Sequence, residues 1–507
     1  MGAAIVIGGG PNGLAAAATL ATKGHQVTLL EAQAQVGGRA AGEEFHPGYR
    51  TTGLLHDTER VQPWVIDSLG LRKHGLETQP PPTLAISGPN GRAVVLPSDP
   101  AAAVTDLEAL QSGLGHQWQA WREDVEASAA TVCALSAGPP PDIRADADVW
   151  PLVRHGMQLL RLGRARVMEL LRTGPLSAED WLDEWFEDRT LQAGLALPGL
   201  LGTWMGPRSP TSGAAVLFSA ALSGDEIVGG PAALVRALSA ACAARGVDIR
   251  TGAKVDQIRV QDARATGVTL TDGTEQDADL VLSTVGPRQT LRQLVDPTEL
   301  PFAMDEASAP IRTRGIVAKV DLALSGPLCL PAHPDTAFDR IRVAPDMVTL
   351  ERAFDDAKHR RMPKAPALDI RVPTVADPSL APEGHHVASV LVYGAAHDLD
   401  GGWTDAARNA LGEVTTAVLE RHLPGSADRV VARRVQSPAD LEARLGLEGG
   451  HLFHGELSLD QIMSFRPHPR LAHYTTGIQG LVLGGAGMHP AGGLTCAQGV
   501  LAARAAG

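Results

Sequence analysis

Gly8, Gly10 and Gly13 form a GxGxxG directly after the apolar run Ala3–Ile7 and at the head of the Ala-rich stretch Leu14–Thr22. A strand, a glycine turn and a helix N-terminus in that order make an anion site. The first glycine permits the tight turn and the second lets the backbone approach a pyrophosphate. The third lets the helix pack closely on the strand. Glu31 follows eighteen residues after Gly13, at the end of a second apolar run, Gln26–Leu30. A carboxylate there can accept hydrogen bonds from ribose hydroxyls; an incidental Glu at a strand end is the alternative. Pro11 and Asn12 in the turn and Ala32 after the carboxylate complete a dinucleotide-binding set. Six residues beyond Glu31 comes Gly37-Gly38-Arg39. A nicotinamide unit does not call for that turn, whereas backbone amides and a guanidinium there can meet the pyrophosphate of an extended FAD. The combination points to FAD over NAD, bound non-covalently because no flavin-linking residue is evident. No second GxGxxG follows a strand and no CxxC is present. Electrons are therefore expected to enter from an organic substrate and to leave to oxygen, a quinone or another acceptor.

The elements that must position these residues are legible in outline. Ala3–Ile7 reads as a buried parallel strand, Leu14–Thr22 as a helix stopped by Gly24, and Gln26–Leu30 as a second strand. That is a β-α-β unit in about thirty residues. The same texture returns after Gly229 as a helix and short strands, and again near the C-terminus in GLVLGGAG and LTCAQGVLAARAA. The expected fold is α/β (α+β overall). A Rossmann-like FAD-binding domain over 1–75, 226–299 and 441–507 is interleaved with a discontinuous substrate domain of mixed sheet and helices over 76–225 and 300–440. In the latter, Ile316–Leu324 and Ala388–Tyr393 read as strands.

Composition bounds the function. At 507 residues the chain exceeds one ordinary domain, and 44% hydrophobic with 20% charged residues suits a globular protein with a large core. A net charge of -13 argues against nucleic acid as a partner, because phosphate binding needs a basic face. Cys133, Cys242, Cys329 and Cys496 lie far apart, which signals neither a disulfide framework nor a zinc site and favours a reducing, cytoplasmic compartment. The strand beginning at Ala3 leaves no room for a signal peptide, and no run of eighteen apolar residues is present. Leu152–Arg172 carries Arg154, Arg161, Arg164, Arg166 and Arg172 among Leu, Met and Val. It reads either as a solvated helix with one apolar face on the core or as a weak peripheral contact with an anionic membrane. The oligomeric state is not legible.

The opening IVIGGGPNGLAAAATLATKGHQVTLLEAQAQVGGRA resembles that of phytoene-desaturase-like and amine-oxidase-like flavoproteins, and GLVLGGAGMHPAGGLTCAQGVLAARAA resembles their C-terminal flavin motif. FHPGYR, LRKHGLE, LDEWFED, VPTVADPSLAPEGHHV and GGHLFHGELSLDQIMSFRPHP are similar to the phytoene dehydrogenase-related group. The resemblance spans nearly the whole chain. It implies that the Val255 backbone contacts the adenine and that Gly487, Gly493 and Leu494 pass along the isoalloxazine. The last helix is expected to start near Leu494 with its amides toward the flavin. Two departures stand out: Ala491 replaces a usual glycine, and Cys496 stands where a small glycine is common.

The resemblance implies dehydrogenation of a C–C or C–N bond in a lipophilic small molecule. An amine or amino-acid oxidase is one alternative, and a structural flavoprotein acting through protein contacts is another. Lys319, in the apolar IVAKVDLAL, matches a strand on which related amine oxidases place a lysine near flavin N5; a strand-end lysine snorkelling to solvent is the other reading. His489 in GMHPAGG is a candidate acid or base, or a structural histidine bonded to backbone. Cys496 reads as a space-filler or a flavin contact. His56 in GLLHD reads as an exposed loop histidine. His451 and His454 lack a completing ligand, so no metal is expected.

Overall fold

The computed structural model describes residues 2–144 and 163–506, together with positions 150, 153, 156 and 157. A five-stranded parallel sheet runs in the order Leu481–Leu483, Leu280–Ser283, Ala3–Ile7, Gln26–Leu30, Asp248–Arg250. Ile5 is in register with Val281 on one side and with Thr28 on the other. Segments from both ends and the middle of the chain therefore share one sheet. The two faces follow from the period of two along each strand. Ala4, Val6, Leu29 and Leu282 face a core shared with the helices Pro11–Thr22, Gly230–Ala243 and Ala497–Ala505. Ile5, Ile7, Leu30 and Val281 face a small antiparallel sheet, Val255–Gln261, Arg264–Leu270 and Glu275–Asp277.

Helix Pro11–Thr22 starts where Gly10 holds an extended backbone (φ −70°, ψ 176°) and proline fills the first turn, the position where its missing N–H costs nothing. Its alanines reflect crowding. A Cβ on Gly499 of the last helix would lie 1.9 Å from the Asn12 carbonyl oxygen, so the two helices nearly touch.

The second sheet has seven strands, in the order Val430–Gln436, Val317–Leu324, His386–Tyr393, Ala367–Arg371, Arg340–Val343, Leu84–Ser87, Ala93–Leu96. Two of them begin close to the expected positions: one opens at Val317 and the other, at His386, two residues early. Alternation divides this sheet sharply. Ala318, Val320, Leu322, Ile341, Leu368, Ile370, Val390 and Val392 lie in an apolar core on one face. The opposite face carries Lys319, Asp321, Arg340, Arg342, Asp369, Arg371, Ser389 and Arg434, brought side by side by register. Asp321 pairs with Ser389 and Arg434, and Asp369 with Arg342. Helix Arg189–Leu200 crosses this polar face at strands Leu84–Ser87 and Ala367–Arg371.

Leu152, Arg154 and Arg161 of the basic stretch Leu152–Arg172 lie outside the described residues. In the described helix Arg164–Thr173, Arg172 pairs with Glu169 and Glu184, each at 2.6 Å. No helix among the described residues is long and apolar enough to cross a membrane.

Candidate functional site

Gly8 turns the chain at the end of the first strand with φ +98°, a backbone that glycine alone adopts without strain. A Cβ on Gly13 would lie 1.8 Å from the Gly8 carbonyl oxygen, so only glycine lets the helix close on that turn. The second glycine turn docks on the first. The Gly37 amide donates to the Gly9 carbonyl at 2.8 Å, and a Cβ on Gly38 would lie 3.2 Å from Gly10 Cα. Glu31 is buried; its Oε2 accepts from the Gly9 amide at 2.6 Å and its Oε1 from the Gln33 amide at 2.7 Å. Each carboxylate oxygen has two lone-pair directions, so an acceptor site is left on both.

Gly8, Gly10, Pro11, Asn12, Glu31, Ala32, Gly38, Arg39 and Val255 line one cavity of about 560 Å³. Gly13 and Gly37 stand behind it and hold its turns. Several groups in its wall are unsatisfied in a way that fits an occupant carrying both negative charge and hydrogen-bond donors. The buried Arg39 guanidinium donates to the Leu452 carbonyl and forms no ion pair among the described residues, and burial lowers its pKa to about 10. A buried cation is costly unless a counter-charge meets it; a pyrophosphate beside Gly10 and Gly38 provides one. Asn12 Oδ1, Gln289 Oε1 and His454 Nδ1 are buried without a hydrogen-bond partner, and all three residues line this cavity. Buried polar atoms are nearly always paired. The donors and acceptors present thus suit FAD.

His454 is a residue that the sequence brought forward only as half of a metal pair. Its backbone is left-handed (φ 54°), and burial pushes its ring down to about 3, so it is neutral at pH 7. His451 turns away from the cavity: its Nδ1 accepts from the amides of Phe453 at 3.1 Å and Gly455 at 3.3 Å. Among the described residues no cluster of three His, Cys, Asp or Glu could hold a metal ion.

The C-terminal tail passes close by. Gly493 (φ +66°) lines a small pocket of about 40 Å³ with Leu55, His56, Asp57, Arg60 and Asp369. Leu494 is buried, and a Cβ on Gly487 would lie 2.4 Å from Pro287 Cδ; neither residue lines the cofactor cavity or this small pocket. The last helix begins at Ala497, three residues later than expected from the resemblance, because Cys496 before it is left-handed (φ 59°). That conformation favours glycine. Burial raises the Cys496 thiol to about 12, so it packs there as a protonated hydrophobe. His489 Nε2 lies 3.1 Å from the Leu135 carbonyl, and burial lowers its pKa to about 4. Its ring faces helix Leu114–Ser136 and lines neither cavity.

Lys319 is not a snorkelling residue: it is 1% exposed in the middle of its strand. Its ammonium donates to Ser389 Oγ and lies 3.5 Å from Asp321, which also meets Thr51 at 3.0 Å and Arg434 at 2.8 Å. Lys319 lines neither cavity and reaches the small pocket only through Ser389. His56 is the residue that contacts it there. Far from being an exposed loop side chain, His56 is 5% exposed, with Nδ1 3.0 Å from Ser389 Oγ and Nε2 3.6 Å from Asp369. Burial lowers its pKa, Asp369 opposes that, and Lys319 adds to it. Burial also pushes the Asp369 carboxyl up, but Arg342 and His56 outweigh it and hold Asp369 well below the usual carboxylate range.

A third cavity, of about 540 Å³, shares Asp57, Arg60 and Pro198 with the small pocket. Its walls include Trp118, Trp121, Val125 and Leu195, and Arg340 and Arg342 lie with Asp57, Glu59 and Arg60 in its lining. Apolar walls with a few convergent polar groups are the usual make-up of a small-molecule site.

Comparison with known proteins agrees with this geometry. Residues 3–349 match the family profile described as DAO, FAD dependent oxidoreductase. The chain is 30% identical to mouse (Mus musculus) pyridine nucleotide-disulfide oxidoreductase domain-containing protein 2, over 98% of this chain and 91% of the relative. It is 24% identical to the neurosporene-forming phytoene desaturase of Rhodobacter capsulatus, over 97% and 91%. Among solved structures, a triple mutant of putrescine oxidase superposes with a TM-score of 0.59 at 17% identity, covering 99% of this chain and 97% of that one. The glycine turns, the buried carboxylate and the unsatisfied cavity wall thus have one common account: this chain is an enzyme of the FAD-dependent oxidoreductase family.

Proposed function

We propose that this enzyme dehydrogenates a C–C or C–N bond of a largely apolar small molecule. One observation carries the reading: the largely apolar cavity of about 540 Å³ shares Asp57, Arg60 and Pro198 with the pocket beside Gly493, in the tail that would pass along the isoalloxazine. Two relatives of similar length or fold, a phytoene desaturase and putrescine oxidase, are named for C–C and amine substrates respectively. FAD, when bound, supplies the acceptor for the hydride that leaves the substrate. The protein supplies the base. His56 is the candidate base: burial keeps its ring neutral, with Nδ1 beside Ser389 Oγ, which also receives Lys319, and Nε2 beside Asp369. A proton leaving the substrate is taken by this ring, and Asp369, 3.6 Å from Nε2, stabilises the charge so formed. Oxygen, a quinone or another acceptor then takes the electrons.

Amine oxidation is the second reading. It is favoured by Asp57, which lines the inner end of the same cavity. Burial pushes this carboxyl up, but Arg340 and Arg60 outweigh that and keep it ionised. We also place the enzyme in the cytoplasm, touching membrane surfaces through the stretch 152–172, where Met168 and Leu171 are exposed. Anaerobic flavin bleaching by a panel of alkenes, alkyl acids and alkylamines tests the reading. Bleaching that is slower in His56→Asn by a hundredfold supports it, and equal bleaching of both proteins refutes the assigned base.

A further inference from the structure

Arg60 is a buried charge on the wall shared by the two cavities. It is 7% exposed, and among the described residues it forms no ion pair; Nη2 donates to Ser219 Oγ at 2.5 Å. Its neighbours are engaged. Arg340 meets Glu59 at 2.5 Å, and Arg342 meets Asp369 at 3.1 Å. Asp57 lies nearby, its carboxylate accepting from the Glu59 amide at 2.8 Å, and forms no ion pair among the described residues. Glu59 answers Arg340, and burial raises its pKa to about 7. Asp57, Glu59 and Asp369 offset part of the Arg60 charge from a distance, but among the described residues none of them closes into an ion pair with the guanidinium, so an anion can still complete it.

Position adds a second argument. The Arg60 side chain lies along the tail: a Cβ on Gly493 would sit 2.6 Å from Arg60 Cδ, and one on Gly492 would sit 2.7 Å from Nη1. Arg60 therefore borders both the small pocket next to His56 and the large apolar cavity beyond Pro198. An anionic group held by Arg60 would set the carbons next to it beside His56. The rest of the molecule would then lie along Trp118, Trp121 and Leu195. Planar guanidinium and carboxylate match in a bidentate geometry.

We propose that the substrate is an amphipathic acid, with a carboxylate received by Arg60 and an apolar body lying in the cavity walled by Trp118, Trp121 and Leu195. This rests on the reading of the chain as a dehydrogenase of apolar molecules, and it narrows that reading to one substrate class. The test uses the oxidised holoenzyme titrated with decanoate, decanol and decylamine, binding being followed by perturbation of the visible flavin spectrum. Decanoate binds at least tenfold more tightly than decanol, and decylamine no better than decanol. Arg60→Met abolishes the preference for decanoate, and Arg60→Lys keeps part of it. Decanol or decylamine binding as tightly as decanoate overturns the proposal, and this comparison on the unaltered protein stands even where Arg60→Met fails to fold. A folded Arg60→Met that keeps the preference, while its flavin potential shifts, also overturns it, and assigns Arg60 to the cofactor instead. A protein without flavin would refute the dehydrogenase reading. The decanoate preference is then read separately, by quenching of the tryptophans in the cavity wall.

Discussion

His56 Nδ1 lies 3.0 Å from the hydroxyl oxygen of Ser389, the same oxygen that receives the Lys319 ammonium. One serine thus links a lysine buried inside a sheet to a histidine on the wall of the pocket beside Gly493. The register that pairs Asp321 with Ser389 sets this up, since Lys319 and Asp321 share a face of their strand.

The link makes Lys319 a positioning residue with a readable effect. Its positive charge lowers the His56 pKa. Lys319→Met removes that charge and keeps the apolar stem, so the His56 pKa rises. Flavin reduction that needs neutral His56 then fails at a higher pH. The acid limb of the pH–rate profile is expected to move upward in Lys319→Met relative to the unaltered enzyme. An unmoved limb would mean that His56 is not the titrating base.

Glu31→Ala tests the cofactor cradle. The substitution removes the acceptor for ribose hydroxyls and frees the Gly9 amide. Charge-assisted hydrogen bonds are worth roughly 1.5–3 kcal/mol each. FAD affinity, measured by reconstitution of the apoprotein, should fall by more than tenfold, and Glu31→Gln should recover part of the loss. Unchanged affinity would place the ribose elsewhere.

Helix contact gives a stability prediction. Gly499→Ala drives a methyl group against the Asn12 backbone and should cost about 3 kcal/mol or more in chemical denaturation. Gly138→Ala, with nothing within 4 Å, should stay within about 0.5 kcal/mol. Equal effects would contradict the packing of the last helix on the first.

Much of the cradle was legible because its logic is local. Gly8, Gly13, Glu31 and Arg39 lie within forty residues, and their spacing alone states what backbone and charge they provide. Val255 came from resemblance, and it lines the same cavity. His56 and Arg60 were not legible, because their meaning comes from residues far along the chain: Ser389 and Asp369 for one, Ser219 and Gly493 for the other. A histidine in a loop carries no sign of the sheet that will cover it. The start of the last helix was misplaced for a similar reason. Nothing in LTCAQG marks Cys496 as left-handed, whereas a glycine there would have.

Buried neutral histidines give the enzyme an acid sensitivity. Burial lowers His451 and His489 to about 4 and His454 to about 3, against 6.5 in an unfolded chain. Between those values the unfolded state binds more protons, so stability is full above about pH 6.5 and is lost as pH falls toward 4. Each ring contributes at most about 2 kcal/mol of that loss by about pH 5. Tm should drop steeply across this window. His489→Asn, which can still donate to the Leu135 carbonyl, should flatten the drop; a slope unchanged by the substitution would show that His489 takes up its proton in the folded state.

The most direct measurement is the cofactor content of the purified protein. Its visible spectrum is recorded, and the chain is then precipitated with acid to separate bound from linked flavin. The account predicts a yellow protein with one FAD per chain, all of it released into the supernatant and identified by its mass. A colourless protein that stays colourless after incubation with FAD, or flavin that precipitates with the chain, would contradict it.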